Sequence, residues 1–196
     1  MSQSSGIKEV GYLDITGGGQ ITVHGNAAYI GHMEWPNATS TIDVSDPKNP
    51  RLIETIALAH AGAHSHKVVV GNGLMLTNHE VDPQKSGGGE GFKGGLNIYD
   101  ASDPLHPKPI HFWATEGGGV HRFTFDGRYA YISPTVEGYV GSIVMILDLK
   151  DPERPEEVGR WWMPGQWKAG GEERTLPDSH YRCHHPIRMG DRLYVS

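Results

Sequence analysis

Three segments of the chain repeat one signature: STIDVSDPKNPRLIETIAL from Ser40, LNIYDASDPLHPKPIHFWA from Leu96 and VMILDLKDPERPEEVGRWW from Val144. Their shared core reads apolar-x-Asp-x-x-Asp-Pro-x-x-Pro, followed by a second apolar stretch. Asp43, Asp100 and Asp148 open the core, and Pro47/Pro50, Pro104/Pro107 and Pro152/Pro155 punctuate it. An Asp-Pro with a second Pro three residues on enforces a tight connection between two strands. A repeat of this period must be read before any single element, because it fixes the architecture.

A second signature precedes each core: a short strand, a Gly turn and another strand. The examples are ITVHGNAAYIG, HKVVVGNGLMLT, HRFTFDGRYAYIS and HPIRMGDRLYVS. Gly25, Gly71, Gly127 and Gly190 suit the positive φ of hairpin turns. One unit is therefore four strands, A to D, with a Gly turn between A and B, a variable loop between B and C, and the Asp-Pro turn between C and D. Four-stranded units at this period are propeller blades. With 27 Gly and 13 Pro, a helical solenoid is excluded.

The stretch GGLNIYDASDPLHP resembles the LVIVD-repeat family of β-propellers, whose units read roughly as Gly-Leu-apolar-apolar-Asp-apolar-Ser-Asp-Pro. The resemblance implies an all-β propeller of four-stranded antiparallel blades. It says almost nothing of function, since propellers host many unrelated ones. The expected blades span residues 20–58, 66–115, 121–163 and, in part, 185–196. Residues 8–15, KEVGYLDI, align with the D strands and are expected to be a closure strand. The reading that follows is a single domain forming an incomplete arc of a larger, seven-bladed ring. A missing propeller half or a second chain is the partner this reading calls for.

Composition narrows the class. Hydrophobic residues make 37% and charged residues 20% of the chain, as in a globular protein. No window approaches 18 apolar residues, so no membrane-spanning helix is expected. A net charge of −6 argues against a nucleic-acid partner. A lone cysteine, Cys183, excludes an internal disulfide and suits a reducing, cytoplasmic setting.

The 12 histidines call for a reason. Aligned on the turn glycines, the first residue of strand A is Gln20, His66, His121 and His185 in successive blades. Strand A is innermost in a propeller, so these side chains are expected to meet at one rim of the channel. Converging neutral imidazoles bind a divalent metal readily. Mn, Zn, Fe and Cu are not distinguishable from the residue types. His184 competes with His185, since its spacing to Gly190 matches that of His121 to Gly127; the shorter spacing, shared with His66, favours His185. The set is similar to the three His and one Gln that hold a metal in the channel of oligogalacturonide lyase propellers. On the same face, His32, Glu34, His64, His79 and Glu80 are expected to support the ligands from behind. Tyr181, His184 and His180 are candidate bases, with Arg174 and Arg182 as clamps for an anionic group. The Gly-rich stretch from Gly87 to Gly95 lacks a phosphate-loop ending and reads as a lid or linker.

Three functions compete. The first is a metal-dependent enzyme of lyase, hydrolase or oxygenase type, acting on a small organic substrate, anionic ones included, at the channel mouth. The second is a non-catalytic interaction platform with a structural metal or none. The third, a redox enzyme with an organic cofactor, lacks any dinucleotide or flavin motif.

Overall fold

In the computed structural model, which describes residues 6–82 and 88–196, the chain is all-β. Blade 1 is a four-stranded antiparallel sheet in the order β1 (Gly18–His24), β2 (Ala27–His32), β3 (Asn37–Asp43), β4 (Arg51–Ala57). Blade 2 comprises β5 (Ala63–His64), β6 (Val68–Gly71), β7 (Leu74–Val81), β8 (Gly95–Asp100) and β9 (Lys108–Ala114). Blade 3 comprises β10 (Gly119–Phe125), β11 (Tyr129–Thr135), β12 (Val144–Asp148) and β13 (Glu156–Trp161). A single 3-10 turn, Asp178–His180, precedes the hairpin β14 (Pro186–Met189) and β15 (Arg192–Val195).

The Asp-Pro signature has a local cause. Asp43, Asp100 and Asp148 each accept the backbone N–H two residues on, from Ser45, Ser102 and Lys150. The second aspartates, Asp46, Asp103 and Asp151, do the same for Lys48, Leu105 and Glu153. Each C–D connection is thus two successive Asx-turns, which mimic a backbone turn and reverse the chain. Arg51 adds an ion pair to Asp43 at 2.7 Å, and Arg128 reaches Asp148 from the A–B turn at the same distance.

The hairpin turns correct one position. In blade 2 the positive φ angles fall on Asn72 (47°) and Gly73 (75°), while Gly71 ends β6 and pairs with Leu74. A two-residue type I′ turn needs positive φ at both central residues, and Asn-Gly supplies it. The turn glycine here is therefore Gly73, and the first turn residue, Asn72, lies one position later than Gly71.

The core lies between blades. Leu76, Leu96 and Ile98 of blade 2 pack on Phe123, Ile132 and Leu147 of blade 3, all at most 2% exposed. Between blades 1 and 2, Tyr29 packs with Val68 and Met75, and its hydroxyl donates to the Pro104 carbonyl at 2.6 Å. Burying apolar faces between neighbouring sheets is what stacks blades around an axis. Inner strands also meet directly: Thr22 Oγ1 donates to the Val68 carbonyl, and Thr124 Oγ1 to the Pro186 carbonyl.

Residues 8–15 carry no strand pairing within the described residues. A strand needs a ladder partner, and this segment instead runs past the first Asp-Pro turn, where a Cβ on Gly11 would stand 2.1 Å from the Pro47 carbonyl oxygen. Blades 2 and 3 are stitched into one sheet by pairing of Gly119 in β10 with Glu80 in β7.

Candidate functional site

The stitch point builds a polar cluster. The inner strand of blade 2 is broken: β5 pairs with the end of β7, β6 with its start, and residues 65–67 lie between. The N–H groups of His66 and Lys67 find their acceptor in one atom, the side-chain carbonyl of buried Asn78, at 2.9 and 2.8 Å. The Asn78 amide donates onward to the Val120 carbonyl at 3.2 Å and to Glu80 Oε1 at 3.3 Å. Asn78 thereby fixes the break in blade 2 and ties it to blade 3.

Glu80 stands at the centre. Its two oxygens lie 3.1 and 2.9 Å from His121 Nδ1, across the blade junction. His66 Nδ1 lies 3.6 Å from Glu80 Oε1. Gly119 allows this approach: a Cβ there would sit 2.2 Å from the His79 carbonyl, and its φ of 111° disfavours any side chain. His64 and His66 stack edge to face with ring centroids 4.2 Å apart, and His66 and His121 lie 5.9 Å apart. Ligand atoms of His64, His66 and Glu80 fall within 4.8 Å of one another. Among the described residues, two ring nitrogens, His64 Nε2 and His66 Nδ1, are buried without a hydrogen-bond partner.

Burial lowers the pKa of His66 to about 2, with the positive charge of Lys67 adding to it. His66 is therefore neutral, and its approach to Glu80 is not an ion pair, despite the short distance. Burial also lowers His64, outweighing the opposing pull of Glu80. Lys67 drops to about 8 through burial and then the neighbouring Arg122.

Of the expected quartet, the group able to hold a metal contains His66 alone. His66 and His121 come together on Glu80. Beside His121, at 5.1 Å, stands the ring of His184. His185, the residue the spacing favours, makes its ring contact with His184 at 6.5 Å. The hairpin turns explain this. Counted from the first turn residue, Asn72 in blade 2 and Gly190 in blade 4, His66 and His184 occupy equivalent places. In blade 3 the Asp126 N–H donates to the Tyr129 carbonyl, so the first turn residue is Gly127, and His121, six before it, is level with them. Gln20 meets His66 through the main chain, its N–H donating to the His66 carbonyl at 2.8 Å.

His184 Nε2 accepts a hydrogen bond from Arg122 Nε at 3.0 Å. Burial and then Arg122 push its pKa to about 4, so its lone pair is spent on the guanidinium. Burial, then Arg122, lowers His185 as well.

The supporting and catalytic candidates scatter. His32 is a satisfied buried histidine, its Nε2 2.8 Å from Ser40 Oγ and its Nδ1 3.3 Å from Thr16 Oγ1. It borders a hollow of about 370 Å³ together with Met33, Glu34 and Trp35. His79 stacks on Phe92 at 5.6 Å. Tyr181 is 1% exposed, and its hydroxyl oxygen accepts the N–H groups of Thr175 and Leu176 at 2.9 and 3.1 Å. Burial alone would raise its pKa; the two amides outweigh that and hold it below the ordinary phenol value. Arg174 pairs with Asp178 at 2.9 Å within its own loop, and His180 and Arg182 are exposed. Of the Gly-rich lid or linker, residues up to 87 lie outside the described residues; beyond them, Gly88 packs on Phe92.

Sequence reasoning missed Asn78, Arg122 and Lys67. It also missed Gln166, fully buried in the β13–β14 connection, whose amide reaches the carbonyls of Val140, Ser142 and Tyr181. The triplet Asn78-His79-Glu80 on one strand held a signal: with period-two alternation, Asn78 and Glu80 share a face opposite to His79.

These blades define a β-propeller repeat protein. Residues 18–57, the four strands of blade 1, match the family model described as LVIVD repeat. No curated protein matches the chain. Among solved structures, the N-terminal domain of Nup159 is similar over 74% of this chain, with a TM-score of 0.42 and 10% identity. The chain spans 30% of the length of that domain's structure.

Proposed function

We propose that the chain contributes to a β-propeller interaction platform, which receives a protein partner on the face formed by the B–C loops and the D–A connections. The observation that carries this reading is the state of the acid–base candidates. A catalytic constellation needs a base, a group that orients it and open space for the reacting atom. Tyr181 is committed to two amides, Arg174 to Asp178, His184 to Arg122 and His32 to Ser40. On the loop face, Met33, Trp35 and Trp167 are 43%, 46% and 41% exposed. Aromatic residues and Met are enriched where proteins dock.

The reading is tested by crosslinking the purified protein in extract of its own cells, with chelator present throughout. A stoichiometric protein complex that Trp35→Ala and Trp167→Ala weaken is the expected result. In a separate assay without chelator and with divalent metal added, consumption of a small molecule from a metabolite extract, lost in His66→Ala, would contradict it.

A second reading, the metal-dependent enzyme of lyase, hydrolase or oxygenase type, is favoured by the two unpartnered ring nitrogens beside Glu80. In that reading Lys67 and Arg122 would hold an anionic substrate at the rim.

A further inference from the structure

We infer that His64, His66 and Glu80 bind one divalent transition-metal ion at the junction of blades 2 and 3, with His121 orienting the Glu80 carboxylate. This goes beyond the platform reading, which stands with or without a metal.

The first ground is unmet bonding capacity. His64 and His66 are each 6% exposed, and His64 Nε2 and His66 Nδ1 have no hydrogen-bond partner among the described residues. A buried polar atom left unpaired costs about 1–3 kcal/mol. Two such atoms within one cluster, next to a carboxylate, form a set of lone pairs without a common donor. A cation supplies what the two ring nitrogens lack, beside a carboxylate that can share it.

The second ground is that the cluster is built. The backbone of His66 is held by Asn78 Oδ1 at 2.9 Å, and His64 is fixed by pairing with Glu80 in the β5–β7 ladder. Glu80 is held from the far side by His121 Nδ1 at 2.9 Å and by Asn78 Nδ2 at 3.3 Å. A ligating carboxylate is typically hydrogen-bonded in this way by groups that do not touch the metal. His121, by donating Nδ1–H to Glu80, is a positioning residue here.

The third ground is geometry and donor type. The three donor atoms lie within 4.8 Å of one another, and His66 Nδ1 is 3.6 Å from Glu80 Oε1. Ligand atoms around a tetrahedral zinc, with bonds of about 2.0–2.1 Å, stand about 3.4 Å apart. Closing the set onto an ion asks for a modest ring rotation. Two imidazoles and one carboxylate suit borderline first-row divalent ions, with positions left open for water or a ligand. Lys67 and Arg122 set positive charge against the ion, and the Glu80 carboxylate offsets part of it.

The test uses the full chain, stripped with chelator and titrated with Co²⁺ as a spectroscopic probe and with Zn²⁺ in competition. One ion per chain by mass spectrometry, with a visible Co²⁺ ligand-field band that Zn²⁺ abolishes, is expected. His66→Ala and Glu80→Gln should lose the band while keeping the far-ultraviolet dichroism and melting of the parent. His121→Ala should weaken affinity by roughly 10–100-fold, the range for partners outside the coordination sphere. His106→Ala, on an Asp-Pro turn, should change nothing. The inference is overturned if the folded parent chain binds no stoichiometric ion, or if both His66→Ala and Glu80→Gln bind as the parent does. Because partner capture is measured under chelation, a failure here leaves the platform reading intact, and a failed capture leaves the metal site intact.

Discussion

Glu80, on the second strand of blade 2, accepts a hydrogen bond at 2.9 Å from Nδ1 of His121, on the first strand of blade 3. The two are 41 residues apart in sequence. Their meeting depends on the break in the inner strand of blade 2 and on Gly119, which lets β10 lie against β7. The candidate site is thus a property of the blade junction and of neither blade alone.

Asn78→Ala should destabilise the fold. It strips the acceptor from two buried backbone N–H groups, those of His66 and Lys67, and each unsatisfied group costs about 1–3 kcal/mol. A loss of about 2 kcal/mol or more in urea unfolding is expected. A change under half of that would mean that the inner strand re-forms its ladder without Asn78.

The Asx-turns should give the protein an acid limb. Asp43 is held at about pKa 2, first by its hydrogen bonds from Ser45 and then by Arg51. A carboxylate depressed in the folded state contributes stability that is present above its unfolded value, about 3.9, and is lost as pH falls through the folded value. Asp43→Asn should therefore flatten the stability curve between about pH 4 and pH 2. An unchanged curve in that window would show that the turn aspartates do not govern acid unfolding.

Much of this fold was legible because its causes are local. An aspartate that accepts the N–H two residues on leaves the same mark each time it occurs, so Asp43, Asp100 and Asp148 announced their turns. Counting along the repeats also put His66 and His121 in one register, although His66 falls in the break between β5 and β6 and His121 is the third residue of β10, so neither begins its inner strand. The counting failed by one residue where Asn72-Gly73, and not Gly71, made the turn, and that slip favoured His185 over His184. Residues 8–15 match strand D in apolar pattern, and pattern alone does not name the ladder partner such a segment needs. Asn78, Glu80 and Arg122 act across blades, and no spacing within one repeat reveals which side chain of the next blade will face them.

Tyr181→Phe should loosen the long β13–β14 connection without touching the inner rim. The hydroxyl is the acceptor for Thr175 and Leu176, both exposed, so water replaces it in part and the cost should be about 1 kcal/mol. Limited proteolysis should cleave residues 164–185 faster in the variant. Equal cleavage of variant and parent would show that Gln166 alone anchors the segment.

The most direct test of the blade-junction account is a double-mutant cycle on Glu80→Ala and His121→Ala, read by urea unfolding in metal-free buffer. Residues in direct contact show non-additivity of about 0.5–3 kcal/mol, whereas independent sites add within about 0.5 kcal/mol. The account predicts a favourable coupling of about 1–3 kcal/mol. Additive effects of the two substitutions would contradict it, because Glu80 and His121 would then not meet across the junction.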